Sequence, residues 1–291
     1  MMFEGIYTAL ITPFRDGKVD EAALRALVER QIAAGITGLV PCGSTGESAT
    51  LSHDEHNAVI DIVISAADGR VPVIAGTGSN NTREAVALTQ HAKEAGATGA
   101  LLLSPYYNKP TQEGLVAHFE AIADETGLPL VLYNIPGRTA SNVLPETIAR
   151  LAEHECIVGV KEACGDLDQI SQLIALCPDD FCVVSGDDSL LLPLLSIGGK
   201  GSIAVTSNVA PKQMLDLYGA TQAGDFVRAR EIHYQLLPLF NALFCETNPI
   251  PVKAALALMG LVDDEIRLPL TTLTQPNRER LQAVLKDVGI L

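Results

Sequence analysis

Short apolar runs alternate with longer amphipathic stretches along most of the chain. Eight of the runs have the length and the β-branched content of buried strands. They end near Thr12, Pro41, Thr77, Ser104, Tyr133, Val160, Ser185 and Val205. Each gap after the first strand holds an amphipathic helix. Eight alternating β and α units predict an α/β fold, a closed parallel (β/α)8 barrel, because a doubly wound sheet rarely needs eight strands.

A glycine pattern marks the points where a predicted helix gives way to a strand. It occurs at residues 34–38, 95–99 and 197–201, each directly before an apolar run. A glycine just past the last helical turn is the usual helix terminator. Helix starts are marked by a capping box at Ser52–Glu55, by the related Asx form at Asn81–Glu84 and by Pro145.

The strand signals stop after about residue 222. Residues 224–247, 250–260 and 276–288 have helical patterns instead. We therefore predict a catalytic barrel over residues 1–222 and a C-terminal α-helical extension over residues 223–291.

Composition excludes several classes of protein. With 291 residues, of which 47% are hydrophobic, the chain can build a large core. A formal net charge of -15 argues against a nucleic-acid partner. Six scattered cysteines without a CxxC pair are typical of a reduced, cytoplasmic enzyme. The N terminus lacks the features of a signal peptide, and no apolar stretch is long enough to span a membrane.

Lys161 is the most informative candidate for chemistry. It follows the apolar run Ile157–Val160, and in a barrel of this kind the active site lies at the carboxyl ends of the strands. Loss of water lowers the pKa of a lysine, and a neutral amine can attack a ketone to form a Schiff base. The alternative is a lysine that is paired with Glu162 or another acid.

Other polar residues follow neighbouring strand ends. They are Ser44, Thr45, Tyr106, Tyr107, Tyr133, Arg138, Asp187 and Asp188, and Gly186 lies among them. Each has a simpler alternative: residues 43–47 as a tight turn or a phosphate cradle, the tyrosines as packing or interface residues, Arg138 as a solvated charge. Asp187 and Asp188 are better explained as cap and turn residues than as a carboxylate pair. Gly199-Lys200 is followed by glycine, so it is not a P-loop, and His53 and His56 lack a third ligand for zinc.

Six separated motifs resemble those of the pyruvate-dependent class I aldolases, the superfamily of dihydrodipicolinate synthase and N-acetylneuraminate lyase. They are TALITPF (8–14), GSTGE (43–47), SPYYNKPTQEG (104–114), YNIPGRT (133–139), GVKEA (159–163) and NPIPVKAAL (248–256). The closer resemblance is to the dihydrodipicolinate synthase branch, over about residues 5–273. It implies condensation of pyruvate with L-aspartate 4-semialdehyde, on the diaminopimelate route to lysine, without a cofactor or a metal.

The resemblance also implies roles for individual residues. Lys161 forms the Schiff base, Tyr133 transfers protons, and Ser44 and Tyr107 complete a proton relay. Tyr107 is expected to reach in from a neighbouring subunit of a homotetramer, a dimer of dimers. Thr45 and the Ile203 backbone bind the carboxylate of pyruvate, Arg138 binds the carboxylate of the semialdehyde, and Gly186 is a further substrate-binding position. A feedback site for L-lysine is implied at Ser48, Ala49, His53, His56, Asn80, Glu84 and Tyr106.

Two positions depart from the family pattern. Ser44 stands where the synthases more often have threonine, and serine retains the hydroxyl group. Ala140 replaces a glycine that is common in the family. The alternatives are another pyruvate aldolase, such as N-acetylneuraminate lyase or a keto-deoxy-sugar lyase, and an inactive barrel that serves as a ligand sensor. Arg138 argues against the lyases, and intact Lys161 and Tyr133 argue against the sensor.

Overall fold

A computed structural model describes residues 3–291. In this part of the chain the strands are β1 (Gly5–Ala9), β2 (Phe14–Arg15), β3 (Lys18–Val19), β4 (Gly38–Val40), β5 (Ile74–Gly76), β6 (Gly99–Leu103), β7 (Leu130–Asn134), β8 (Ile157–Glu162), β9 (Cys182–Ser185) and β10 (Gly201–Ala204). The α-helices are α1 (Glu21–Ala34), α2 (His53–Ala67), α3 (Thr82–Ala95), α4 (Gln112–Thr126), α5 (Pro136–Thr139), α6 (Pro145–Leu151), α7 (Leu167–Leu176), α8 (Leu191–Ser196), α9 (Pro211–Gln222), α10 (Phe226–Ala242), α11 (Ile250–Leu258) and α12 (Gln275–Asp287).

The chain forms two compact units. The first contains Val73–Ile203 with the described N-terminal residues 3–5, and the second contains Ile6–Pro72 with Ala204–Leu291. In the first unit, β5 to β10 are successive parallel neighbours. In the second unit, β1 pairs with β4 in parallel, and β2 and β3 form a short antiparallel hairpin.

All strands except those of the hairpin belong to one eight-stranded sheet. Eight parallel strands that alternate with helices and are followed by C-terminal helices make a (β/α)8 TIM barrel with a helical extension, as the sequence predicted. The functional division at residues 222/223 stays a prediction, and the second compact unit includes residues on both sides of it. Within residues 3–291, none of the helices has both the length and the hydrophobicity of a membrane-spanning segment.

The helix ends confirm the local signals of the sequence. Gly35 and Gly96 cap α1 and α3 in the left-handed conformation, with φ of 87° and 96°, and their N–H groups bond to carbonyls of the last turn. In the capping box, Glu55 N–H donates to Ser52 Oγ at 3.2 Å and Ser52 N–H donates to Glu55 Oε2 at 2.9 Å. Asn81 Oδ1 accepts from the N–H of Arg83 at 3.1 Å, which starts α3.

Alternation along the strands decides which side chains face the helices. In the first unit, Leu130 and Leu132 of β7 and Val160 of β8 are buried in a core cluster with Phe119 of α4. Burying such a side chain contributes about 1.5–3 kcal/mol to folding. Successive strand residues point to opposite faces of a sheet. Tyr133 and Lys161, at the alternate positions, therefore face away from this cluster.

The bounds of one strand and one helix differ from the sequence prediction, and one hairpin was not predicted. β1 ends at Ala9 rather than near Thr12, whose hydroxyl instead donates to the carbonyl of Gly46 at 2.7 Å. The helix predicted over residues 224–247 is α10, Phe226–Ala242, because Asp225 caps its start and a turn follows Leu243. The β2–β3 hairpin was not predicted, since strands of two residues are too short to show a period.

Candidate active site

Lys161 lies in β8 directly opposite Tyr133 of β7 in the strand register. Its side chain is 4% exposed, and its Nζ lies 4.3 Å from the centroid of the Tyr133 ring. A strand end thus holds an amine and a phenol side by side, shielded from water.

Burial lowers the pKa of Lys161 to about 8. The positive charge of Arg138 acts in the same direction, whereas Asp188 and Asp187 raise the pKa and keep the ammonium from being lost altogether. A pKa of about 8 leaves about a tenth of the amine neutral at pH 7, against well under a thousandth for an ordinary lysine. The site therefore supplies a nucleophilic amine near neutral pH.

Glu162 is not the partner of Lys161. The next residue along a strand faces the opposite side, and both carboxylate oxygens of Glu162 accept from Asn134 Nδ2 at 3.1 Å. The backbone N–H of Cys164 donates to the same carboxylate at 2.8 Å. The structure thus does not support the alternative of a Lys161–Glu162 ion pair.

Tyr133 is the candidate for proton transfer. Its side chain is 6% exposed, and burial raises the pKa of its phenol, although Arg138 acts in the opposite direction. The phenol is therefore protonated at neutral pH, and it can donate a proton to an oxygen that develops negative charge nearby.

Arg138 is carried by the short helix α5. Pro136 begins the helix, the Thr139 hydroxyl donates to the Ile135 carbonyl at 3.1 Å, and Ala140 ends it with φ of 56°. The Arg138 side chain is exposed, and its charge acts on both Lys161 and Tyr133. The Arg138 charge thus reaches the amine and the phenol, and the predicted role of Arg138 in binding the semialdehyde carboxylate stays a prediction.

The segment after β9 forms a further wall beside Lys161. A Cβ at Gly186 would lie 2.6 Å from the Cβ of Ala163 and 3.0 Å from the Cε of Lys161, so a side chain there would displace the lysine. Asp187 lies at the cap position of the 3-10 turn Asp188–Leu190, as the turn interpretation predicts, but its side chain makes no capping hydrogen bond.

The carboxylates of Asp188 and Asp187 also act electrostatically on Lys161, an effect that the sequence did not reveal. Burial raises the pKa of Asp187, and the charge of Lys161 opposes that shift. The only sequence signal for these two aspartates was their position after the seventh strand.

Ile203, whose backbone was predicted to bind the pyruvate carboxylate, is buried in β10.

The paired tyrosines lie in the loop after β6. Tyr107 is 89% exposed and has a left-handed backbone, with φ of 71°. The Tyr106 carbonyl accepts from Asn80 Nδ2 at 3.1 Å, and the Ser79 hydroxyl donates to the Glu84 carboxylate. Asn80, Glu84 and Tyr106 thus cluster around the start of α3.

Ser44 and Thr45 belong to the second unit, in the 3-10 turn Ser44–Gly46 that follows β4. Ser44 is half-buried and Thr45 is 3% exposed. The Thr45 Oγ1 accepts from Asn248 Nδ2 at 2.9 Å. Asn248 begins the motif NPIPVKAAL (248–256), but no local pattern indicates its contact with Thr45, because the two residues are far apart in the chain.

The remaining residues of the predicted lysine site follow the Ser44–Gly46 turn in the chain. Ser48 and Ala49 lie in the next 3-10 turn, Ser48–Thr50. His53 is the first residue of α2, and His56, one turn on, is buried. The proton relay and the lysine site each draw on residues of both units, and they stay predictions. The described residues include no group of three or more His, Cys, Asp or Glu that is arranged to hold a metal ion.

Comparisons with known proteins show the family to which the chain belongs. The chain matches the dihydrodipicolinate synthetase family over residues 2–288. It is 59% identical over 292 residues to the 4-hydroxy-tetrahydrodipicolinate synthase of Nitratidesulfovibrio vulgaris strain DP4, with 100% of both chains covered.

Two solved structures carry ligands of interest. The chloride-inhibited dihydrodipicolinate synthase of Acinetobacter baumannii, complexed with pyruvate, is 48% identical with a TM-score of 0.98 and 100% coverage of both chains. The dihydrodipicolinate synthase of Cyanidioschyzon merolae with lysine bound is 41% identical with a TM-score of 0.97 and 99% coverage of both chains. The chain therefore belongs to the dihydrodipicolinate synthetase family.

Proposed function

We propose that this chain condenses pyruvate with L-aspartate 4-semialdehyde through a Schiff base on Lys161. The activity is that of a 4-hydroxy-tetrahydrodipicolinate synthase, a lyase of the diaminopimelate route to lysine. The observation that carries the mechanism is the buried amine of Lys161, with a pKa lowered to about 8, next to the phenol of Tyr133.

The chemistry follows from a neutral amine beside a proton donor. The Lys161 amine adds to the ketone carbon of pyruvate, and Tyr133 protonates the oxygen that leaves as water. Loss of a proton from the methyl group converts the imine to an enamine, whose carbon attacks the aldehyde of the second substrate. The amino group of that substrate then replaces Lys161 on the imine carbon and frees the enzyme.

Proton transfer between these steps is assigned to a relay of Tyr133, Ser44 and Tyr107. A chain of hydroxyl groups can accept a proton at one end and release one at the other. Ser44 in place of threonine retains the hydroxyl, so this departure from the family pattern preserves the relay.

The remaining side chains bind carboxylates. Thr45 and the backbone of Ile203 are assigned to the carboxylate of pyruvate, and Gly186 leaves room beside the Lys161 side chain. Arg138 is assigned to the carboxylate of the semialdehyde, because a planar guanidinium forms two parallel hydrogen bonds with such a group. Arg138 also separates this function from N-acetylneuraminate lyase and the keto-deoxy-sugar lyases. A rate comparison with aspartate semialdehyde and N-acetylneuraminate checks that choice.

Trapping of the imine tests the proposal directly. Pyruvate with borohydride should add mass irreversibly at Lys161 and leave Lys109, Lys200 and Lys253 unchanged, as read by peptide mass spectrometry. Lys161→Ala should abolish both trapping and turnover while it preserves the circular dichroism spectrum. Labelling at another lysine would contradict the mechanism, and a wild-type chain that traps no pyruvate would instead be an inactive ligand sensor.

We also propose a homotetramer, a dimer of dimers, in which Tyr107 completes the relay of a neighbouring subunit. The support is the 89% exposure of Tyr107 in a left-handed backbone, since exposed aromatic residues are common interface anchors. Sedimentation at micromolar concentration checks the state. A fully active monomer contradicts the proposal.

A regulatory site for L-lysine is proposed at Ser48, Ala49, His53, His56, Asn80, Glu84 and Tyr106. Glu84 offers a carboxylate to a ligand ammonium group, and the Asn80 side chain is held beside Tyr106. The relative from Cyanidioschyzon merolae was solved with lysine bound.

We place the protein in the cytoplasm. All six cysteines are free, which suits a reducing compartment, and the biosynthetic role fits that location. We likewise keep residues 1–222 as the catalytic barrel and residues 223–291 as its extension.

A further inference from the structure

We propose that Asn248 is a positioning residue for the pyruvate carboxylate, and that the Glu47–Lys253 ion pair holds the loop on which it acts. The Asn248 amide fixes the direction of the Thr45 hydroxyl, so that this hydroxyl donates its proton to the carboxylate. This inference rests on the proposed function in one respect, the assignment of Thr45 to pyruvate.

The polarity of the Thr45 hydroxyl follows from its partner. Asn248 Nδ2 lies 2.9 Å from Thr45 Oγ1, and an amide nitrogen can only donate. The Thr45 oxygen therefore accepts this bond, and the hydroxyl proton remains available for a second group. A carboxylate ligand only accepts hydrogen bonds, so a hydroxyl in this orientation suits it. Both residues are buried, at 3% and 6% exposure, so water competes little for these bonds.

The loop that carries Thr45 has a conformation that needs support. Cys42 and Glu47, on either side of residues 43–46, both have left-handed backbones, with φ of 55° and 54°. Such a conformation costs about 1–2 kcal/mol for a residue with a Cβ. Contacts from elsewhere must hold the loop in place, and the bond from the Thr12 hydroxyl to the Gly46 carbonyl is one of them.

The stronger support comes from a buried ion pair. Lys253 is 0% exposed and Glu47 is 4% exposed, and the ammonium donates directly to the carboxylate. Lys253 also donates to the Glu265 carbonyl at 2.8 Å, and the Arg267 backbone N–H donates to the second oxygen of Glu47 at 3.1 Å. Removing one member of a buried pair leaves an uncompensated charge, so the pair strongly fixes the Glu47 side chain.

Both tethers come from one short segment, the start of α11 and the residues just before it. Lys253 lies in the first turn of α11 (Ile250–Leu258), and Asn248 lies two residues before that helix. The start of α11 therefore holds the Thr45 loop at two points, Thr45 itself and Glu47. This gives the C-terminal extension a role in substrate binding.

A double-mutant cycle tests the role of Asn248. Thr45→Val and Asn248→Ala should each raise the KM for pyruvate about tenfold, the effect of one lost hydrogen bond to a charged group. The KM for aspartate semialdehyde should stay unchanged. The double variant should be no worse than Thr45→Val, because Asn248 acts only through Thr45. Additive losses would overturn the inference.

Replacement of the Asn248 donor by an acceptor distinguishes an effect on the orientation of the Thr45 hydroxyl from an effect of Asn248 packing. Asn248→Asp has nearly the same shape but places an acceptor at Thr45, which turns the hydroxyl proton away from the substrate. Its KM for pyruvate should therefore exceed that of Asn248→Ala. The opposite order would show that Asn248 only fills space. Asn277→Ala is the matched control, since the Asn277 amide binds Glu246 at 2.7 Å, and its KM values should be those of the wild type.

The outcome for Thr45→Val keeps the two proposals distinguishable. An unchanged KM for pyruvate in that variant would refute the assignment of Thr45 within the proposed function. A raised KM in Thr45→Val with a normal KM in Asn248→Ala would refute only the positioning role.

The ion pair is tested by removing both charges together. Lys253→Met alone leaves Glu47 as an unpaired buried charge and is expected to unfold at lower denaturant concentration. Glu47→Gln with Lys253→Met leaves no buried charge and should fold, but it should raise the KM for pyruvate several-fold because the loop is no longer fixed. Wild-type KM and kcat in the folded double variant would contradict a positioning role for the pair.

Discussion

At the scale of the residue, the site depends on how far one lysine is kept from its ordinary pKa. Burial and Arg138 lower the pKa of Lys161, whereas Asp187 and Asp188 raise it. The balance leaves the amine partly neutral at physiological pH. Burial without the two carboxylates would lower the pKa of Lys161 further. The two carboxylates without burial would keep the Lys161 amine charged.

This balance predicts the pH dependence of imine formation. Only the neutral amine attacks, so the rate of borohydride-trapped pyruvate at low pyruvate concentration should rise with pH and level off above about 8. Asp187→Asn removes a charge that raises the pKa, so the midpoint should move to lower pH. Asp179→Asn, at an exposed position, should leave the midpoint in place. A profile that Asp187→Asn moves to higher pH would contradict the assigned electrostatics.

Arg138 gives a prediction about the second substrate. Arg138→Ala should raise the KM for aspartate semialdehyde by the equivalent of about 1.5–3 kcal/mol, the effect of a lost charge-assisted bond. Trapping of pyruvate should remain largely intact, and steady-state kinetics beside borohydride trapping measures both. Arg150→Ala, which breaks an exposed pair with Glu113, is the control and should change neither. Equal losses in trapping and turnover would place Arg138 on pyruvate instead.

At the scale of the element, the helix caps were the features that the sequence predicted best. Gly35, Gly96 and the Ser52 capping box act locally, so a few neighbouring residues contain the whole signal. The contact between Thr45 and Asn248 spans 203 positions, and no local pattern connects them. The same holds for Glu47 and Lys253. The motifs predict which strand-end residues carry the chemistry, but only the fold shows which distant residues contact them.

The end of α5 provides a test of one departure from the family pattern. Ala140 has φ of 56°, a conformation that costs a residue with a Cβ free energy that glycine does not pay. Ala140→Gly should therefore stabilise the fold by about 0.5–1 kcal/mol, after the larger chain entropy of glycine is subtracted. Urea unfolding measures the difference. Ala152→Gly, at a right-handed helix end, should destabilise by a similar amount, and a loss of stability in both variants would count against the strain at Ala140.

At the scale of the whole molecule, the regulatory site gives a prediction about coupling. Tyr106, a proposed lysine contact, is the chain neighbour of Tyr107, a proposed relay member. L-Lysine should therefore inhibit the initial rate at saturating pyruvate at concentrations below about 10 mM, an affinity of about 3 kcal/mol. By linkage, pyruvate should change the affinity for lysine by the same factor as lysine changes that for pyruvate.

Calorimetric titration of lysine, with and without pyruvate, measures this reciprocity. Glu84→Gln should weaken lysine binding and leave the uninhibited rate close to that of the wild type, whereas Glu94→Gln on the same helix should alter neither. Absence of inhibition up to that concentration would remove the support for the lysine site.

The buried Glu47–Lys253 pair also has a consequence for growth temperature. Ionic hydration becomes less favourable as a solution warms, so the penalty for burying two charges shrinks. An apolar pair in place of Glu47 and Lys253 that is more stable at low temperature would gradually lose this stability advantage as the temperature rises. A lineage that moves into hotter habitats thus has a thermodynamic reason to retain this pair, because it would keep the loop around Thr45 in place when the rest of the fold loosens.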